Sequence, residues 1–152
     1  SNGTEVSNEE LFKKPSLVYF GYTYCPDICP FDLMRNSSAV EMLDSEGIEI
    51  TPIFITLDPN RDTMQRLRDY TQFHHPRMIG LTGSKNQIES VKKIYKVYSE
   101  MPSVKKEGYL VNHSTFTYLV IPKFGVQTYF TRKDSSEKIV EDIKCVLDKH
   151  NN

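Results

Sequence analysis

Two of the chain's three cysteines fall within the stretch YCPDICP, as Cys25 and Cys29, and each stands immediately before a proline. A residue before proline is pushed out of the helical region, so both cysteines are expected on extended or turn backbone. Proline is well tolerated at the first helical position, which predicts a helix opening at Pro30 with Cys29 at or near its N-cap. Both sulfurs then sit near the positive end of a helix, where thiolate is favoured over thiol. Converging thiolates have two outlets: they oxidise to a disulfide, or they hold a soft metal ion such as Cu(I). Each outlet blocks the other. The bland alternative, a pair of loop cysteines with no role, makes poor use of two prolines that stiffen the backbone around them.

The spacing discriminates modestly. Three residues intervene where thioredoxin-like enzymes have two, and the wider pocket admits a metal ion as well as a disulfide. A structural zinc site draws on four protein ligands, and Cys145 is the one cysteine left. Its place in the apolar pattern of the last helix predicts an ordinary buried thiol. His74-His75, before Pro76, has no cysteine or carboxylate at ligand spacing, and neighbouring residues on a helix point in different directions, so it reads as a solvated helix end. His150 reads as part of a frayed tail. Asn36-Ser37-Ser38 and Asn112-His113-Ser114 match the glycosylation pattern, the first inside a predicted helix, and both read as coincidence.

The elements that must position the cysteines follow from periodicity. Residues 16–22, SLVYFGY, form an apolar run with the pattern of a buried central strand that delivers the chain to Cys25. From Pro30, apolar residues recur at helical spacing up to Gly47, a C-terminal stop. Residues 48–57 read as a second buried strand interrupted by Pro52. It ends in the turn Asp58-Pro59-Asn60-Arg61-Asp62 and a helix that stops before Pro76. Residues 78–81 suggest a short strand, and 84–98 an amphipathic helix with Ile88, Val91, Ile94, Tyr95 and Tyr98 on one face. Residues 99–112 read as a long mobile loop. Residues 115–122 and 127–131 read as a hairpin, and the last helix is predicted from Asp134, with Glu137 at capping-box spacing. Strands alternating with helices give an α/β layer sandwich with a mixed sheet. Ligands in such sheets bind beyond the carboxyl ends of strands, where Cys25 lies.

Composition narrows the function classes. With 152 residues the chain is one domain large enough to bury a core without disulfides, so paired cysteines are more chemical than structural. A net charge of −1 without a basic stripe gives nucleic acid no purchase. No apolar run approaches the roughly 18 residues of a membrane span. The chain opens on Ser-Asn without methionine, which suggests a longer protein with an anchor or targeting peptide upstream. Tyr19, Phe20, Tyr22, Tyr24 and Phe31 surround the cysteines, mostly as core, and any exposed part would make a docking patch.

FGYTYCPDICP at 20–30, FITLDPNRDT at 54–63 and VNHST at 111–115 together resemble the Sco/SenC family of copper proteins, over nearly the whole chain. The resemblance implies a thioredoxin-like three-layer sandwich, a mixed central sheet with flanking helices. It implies a copper chaperone in assembly of the binuclear copper centre of cytochrome c oxidase, with Cys25, Cys29 and His113 as ligands to Cu(I) or Cu(II). The same dithiol is a candidate redox pair. Partners implied are the copper-bearing oxidase subunit, a copper donor chaperone, and the membrane through an anchor outside this chain, with no nucleic acid. The location implied is the mitochondrial inner membrane facing the intermembrane space, or the bacterial cytoplasmic membrane facing the periplasm. Two thiolates and one imidazole suit both copper oxidation states.

Asn112 stands where family members usually have aspartate, which would weaken an interaction that orients the imidazole. Asp58 lies near the cysteines in the family and is a candidate supporting group, against the plainer reading that it starts the turn. Arg61 and Asp62 read as turn and cap residues. The resemblance also aligns Val6 with the second strand of an N-terminal hairpin whose first strand lies outside this chain. Against the metallochaperone stands a thiol-disulfide reductase acting on oxidase cysteines, which needs Cys25 and Cys29 but not His113. A thiol peroxidase shares the fold, but leaves the second cysteine and His113 unexplained.

Overall fold

The computed structural model describes residues 3–104 and 106–151. In chain order the elements are helix α1 (Asn8–Leu11), β1 (Ser16–Gly21), α2 (Ile28–Ser45), β2 (Thr51–Thr56), α3 (Met64–His74), β3 (Ile79–Leu81), α4 (Lys85–Tyr95), β4 (Ser99–Glu100), β5 (Asn112–His113), β6 (Thr117–Ile121), β7 (Gly125–Phe130) and α5 (Ser136–Asn151). Five strands make one mixed sheet in the order β3-β2-β1-β6-β7, with β1, β2 and β3 parallel and β6 and β7 antiparallel to their neighbours. β4 and β5 form a separate antiparallel ribbon.

All six residues of β1 are buried because both faces of the sheet are covered. Leu17 and Tyr19 point to the face packed by α2, α3 and α5, and Val18 and Phe20 to the face covered by α4 and the N-terminal segment. This is the expected three-layer sandwich. Pro52 is tolerated in β2 because β3 pairs only with Ile53–Ile55, leaving β2 without a neighbour on that side at Pro52.

Several expectations are corrected. Val6 lies in irregular backbone rather than a strand and leads into α1, whose capping box is Ser7 with Glu10. α2 begins at Ile28, so Cys29 and Pro30 are inside its first turn; the missing proline N–H costs nothing there, because the first amides of a helix have no intrahelical partner. α4 stops at Tyr95 because Lys96 adopts a left-handed conformation at φ 54°, which sends Tyr98 toward the β4–β5 ribbon instead of onto the helix face. α5 starts after Ser135, not Asp134. Asp134 folds back to accept from the Thr131 amide and hydroxyl, while the Ser135 hydroxyl accepts from the Lys138 amide. Cys145 is exposed: Ile139 and Ile143 define the buried stripe of α5, and a residue two positions beyond Ile143 turns to solvent.

His75 is buried rather than solvated, and its Nδ1 accepts the Arg77 amide at 3.1 Å. His150 packs on the Phe124 ring and meets Gln127 rather than fraying. Asn36 is buried and donates to Thr117, so it offers no glycan acceptor. Among the described residues no helix is long and apolar enough to cross a membrane.

Candidate metal centre

β1 carries the chain to the carboxyl end of the sheet, and the turn after it is held by a buried carboxylate. Asp62 accepts from the Thr23 amide at 3.0 Å, the Thr23 hydroxyl at 2.6 Å and the Thr56 hydroxyl at 2.6 Å. It is therefore a brace for the cysteine loop and not the cap of α3, a role taken by Thr63. Arg66 adds a bond to the Thr23 hydroxyl and stacks over the Tyr24 ring. With Thr23 fixed, the Cys25 amide closes a turn onto the Tyr22 carbonyl.

Cys25 then replaces a conventional helix cap. Asp27 stands at the N-cap of α2 without a side-chain bond, and the Cys29 amide donates instead to the Cys25 sulfur, 3.4 Å away. Cys29 lies one turn further, fully buried under β1. A Cβ added at Gly21 would stand 2.8 Å from the Cys29 Sγ, so glycine is what lets that sulfur lie against the strand.

His113 arrives from β5 on the far side of the loop. Its Nε2 is 3.5 Å from the Cys29 Sγ, and its Nδ1 is 2.8 Å from the Ser114 carbonyl. A carbonyl only accepts, so Nδ1 carries a proton, and Nε2 is the ring nitrogen turned toward the sulfurs. The donor atoms of Cys25, Cys29 and His113 all lie within 4.8 Å of one another. Tyr22 meets the imidazole edge-on at 5.8 Å between ring centroids.

The two sulfurs are electrostatically unequal, contrary to the expectation that the helix end favours both thiolates. Cys25 is held far below the ordinary thiol value, first by a hydrogen bond from the Cys29 thiol, then by His113 and the amides of Cys29 and Asp27, against the opposing effect of burial. Cys29 is pushed far up by that same bond, by burial and by the negative charge on Cys25. The pair is one thiolate and one thiol sharing a proton.

Tyr19, expected only as part of the aromatic surround, and Asp32, which carries no signal in the sequence, complete the wall behind Cys29. The Tyr19 hydroxyl, beside the Cys29 sulfur, donates to Asp32 at 2.9 Å, and burial raises the Asp32 carboxyl above its ordinary value. Asp58 is fully buried at the end of β2; it accepts from Tyr109 and Arg61 and supports the site's outer side. Asn112 is exposed and neighbours His113 on a strand, where successive side chains face opposite ways. Ser114, not residue 112, fixes the imidazole. Tyr24 and Phe31 are the exposed aromatics beside the site, while Tyr19, Phe20 and Tyr22 are core.

Two sulfurs and one imidazole nitrogen, with the ring oriented by the Ser114 carbonyl and a buried wall behind them, fit a soft metal ion. The SCO1/SenC family profile matches residues 1–148. Protein SenC of Rhodobacter capsulatus is 42% identical over 146 residues, 96% of this chain and 66% of that protein. The mitochondrial protein SCO2 of Saccharomyces cerevisiae is 41% identical over 155 residues, 97% of this chain and 52% of that one. The chain thus spans about two thirds or less of the length of these relatives. Copper-bound ScoI of Arabidopsis thaliana superposes with a TM-score of 0.91 at 33% identity, covering 97% of this chain and 92% of that one. BsSco, described with a disulfide switch and as a member of the Sco family of cytochrome c oxidase assembly proteins, gives 0.73 at 28% identity, covering 95% and 86%. A profile matched nearly end to end, on a thioredoxin-like sandwich shared this closely, means that the chain belongs to the SCO1/SenC family.

Proposed function

We propose that this chain is a copper chaperone that carries one copper ion on Cys25, Cys29 and His113 for assembly of the binuclear copper centre of cytochrome c oxidase. The observation that carries the reading is the convergence of the three donor atoms within 4.8 Å, with the imidazole Nε2 turned toward the sulfurs. Copper is cargo here. On loading, the ion takes the place of the proton on Cys29, which passes to solvent, and both sulfurs become thiolates. The copper-bound ScoI structure and the Sco assembly protein support the reading. Its acceptor is the copper-bearing oxidase subunit, its supplier a copper donor protein. It works on the oxidising side of the mitochondrial inner or bacterial cytoplasmic membrane, held by an anchor outside residues 1–152.

The unequal cysteines favour a second reading, in which the same pair reduces a disulfide on the oxidase subunit. The Cys25 thiolate attacks one sulfur of the target, a mixed disulfide forms, and Cys29 displaces it. The target gains two thiols and Cys25 and Cys29 become a disulfide, so electrons balance. This reading does not need His113.

Anaerobic Cu(I) titration of the reduced protein against a chromophoric chelator separates the two. One tight equivalent is expected, weakened in Cys25→Ser, Cys29→Ser and His113→Ala alike by more than about tenfold, the least that removing even an orienting partner of a ligand costs. Binding indifferent to His113→Ala, or no tight binding, leaves thiol-disulfide exchange as the function.

A further inference from the structure

Two strands of two residues each are scant support for a metal donor, since even full two-stranded hairpins are marginal alone. Other ties hold the returning arm. The Tyr109 hydroxyl reaches both oxygens of the buried Asp58 carboxylate, at 2.9 and 2.8 Å. Arg61 completes the group: its Nε donates to Asp58, and its guanidinium carbon lies 3.4 Å from the Tyr109 ring centroid. A hydroxyl bond to a carboxylate is charge-assisted, and a guanidinium over an aromatic face adds to it. Val111 is buried, and its backbone bonds the Tyr22 hydroxyl. Tyr22 in turn packs against the His113 ring. Tyr109, Val111 and His113 therefore alternate along an extended arm, each fastened on the side of the cysteines.

We infer that Tyr109 is a positioning residue for His113: latched to Asp58 and clamped by Arg61, it holds the histidine arm against the two sulfurs and sets how readily the imidazole leaves them. The consequence for metal release rests on the copper reading; the latch itself does not. Handing the ion to an acceptor requires a donor to step aside, and His113 is the donor whose arm can open without disturbing β1 or α2, which hold the sulfurs. Breaking the hydroxyl–carboxylate contact loosens that arm while its other ties remain.

The test uses Tyr109→Phe, which keeps the ring under Arg61 and removes the hydroxyl, with Tyr129→Phe on exposed β7 as the control. In the reduced, metal-free protein, hydrogen exchange at the Ser114 amide, which bonds the Tyr98 carbonyl, should quicken about tenfold in Tyr109→Phe. Amides of β1 and β2 should not change, and Tyr129→Phe should match the parent. After loading with one Cu(I), transfer to an excess of chromophoric chelator should also quicken about tenfold in Tyr109→Phe. In a His113→Ala background the Tyr109 substitution should add nothing. Unchanged exchange at Ser114 overturns the inference. So does unchanged release from a loosened arm, or faster release that persists without His113. If the parent takes up no Cu(I), the copper reading fails and the exchange measurement alone decides the latch.

Discussion

Cys25 and Cys29 are spelled alike, each before a proline, yet the fold gives them opposite chemistry. Cys25 faces amides at the start of α2 and a neighbouring thiol, all of which favour its anion, whereas Cys29 is sealed beneath Gly21 with a thiolate next to it. In reduced, metal-free protein carrying Cys145→Ser, iodoacetamide should modify Cys25 first, at a rate nearly flat between pH 5 and 8 because its thiolate is already formed. Cys29 should stay almost unmodified over that range. Peptide mapping by mass spectrometry checks both, and a Cys25 rate that climbs about tenfold per pH unit would contradict the assignment. The sequence exposes the pair because prolines punctuate it, but their inequality depends on which sulfur lies under the strand, and nothing local encodes that.

At the scale of elements, what the sequence makes legible is what repeats. The apolar run of β1, the helical stripe of α5 and the glycine stop after α2 all carry a period or a terminator, and each forms as expected. Single polar residues with distant partners carry neither. Asp62 braces Thr23 from 39 residues away and Tyr109 reaches Asp58 across 51, so neither role is visible in its own neighbourhood. The β4–β5 ribbon is missed for the same reason, its strands being too short for alternation to register.

His75, misread as solvated, shows the cost of judging a helix end by polarity alone. Burial and the neighbouring Arg77 hold its folded-state value below the ordinary one, so folding disfavours its cation. Its stabilising contribution is fully present above the unfolded value of about 6.5 and is lost as the pH falls from there through the lower folded value. Urea midpoints of His75→Gln should accordingly fall less between pH 7 and pH 5 than those of the parent. An unchanged slope would mean that His75 is not held neutral.

For the molecule as a whole, the layers and the site answer to different demands. The sandwich is held by two apolar faces that owe nothing to a metal, so the reduced, metal-free protein should melt as a cooperative unit. Copper bound only by the folded state adds to that stability, by about 4 kcal/mol at a free concentration 1,000 times the Kd. For a domain of this size that is a rise in Tm of roughly 10 °C. Scanning calorimetry should find the rise in the parent and lose most of it in Cys29→Ser. An equal rise in that variant would place the stabilising ion elsewhere.

The separation of 84 positions from Cys29 to His113 bears on how the molecule is made. The two thiols leave the ribosome early, but the imidazole comes into place only after the Ser99 partner of its ribbon has emerged and the arm has folded back. A growing or truncated chain that ends before His113 can offer sulfur alone. The third donor therefore acts as a checkpoint on synthesis: the three donor atoms come together only on a polypeptide that has been made past its histidine arm.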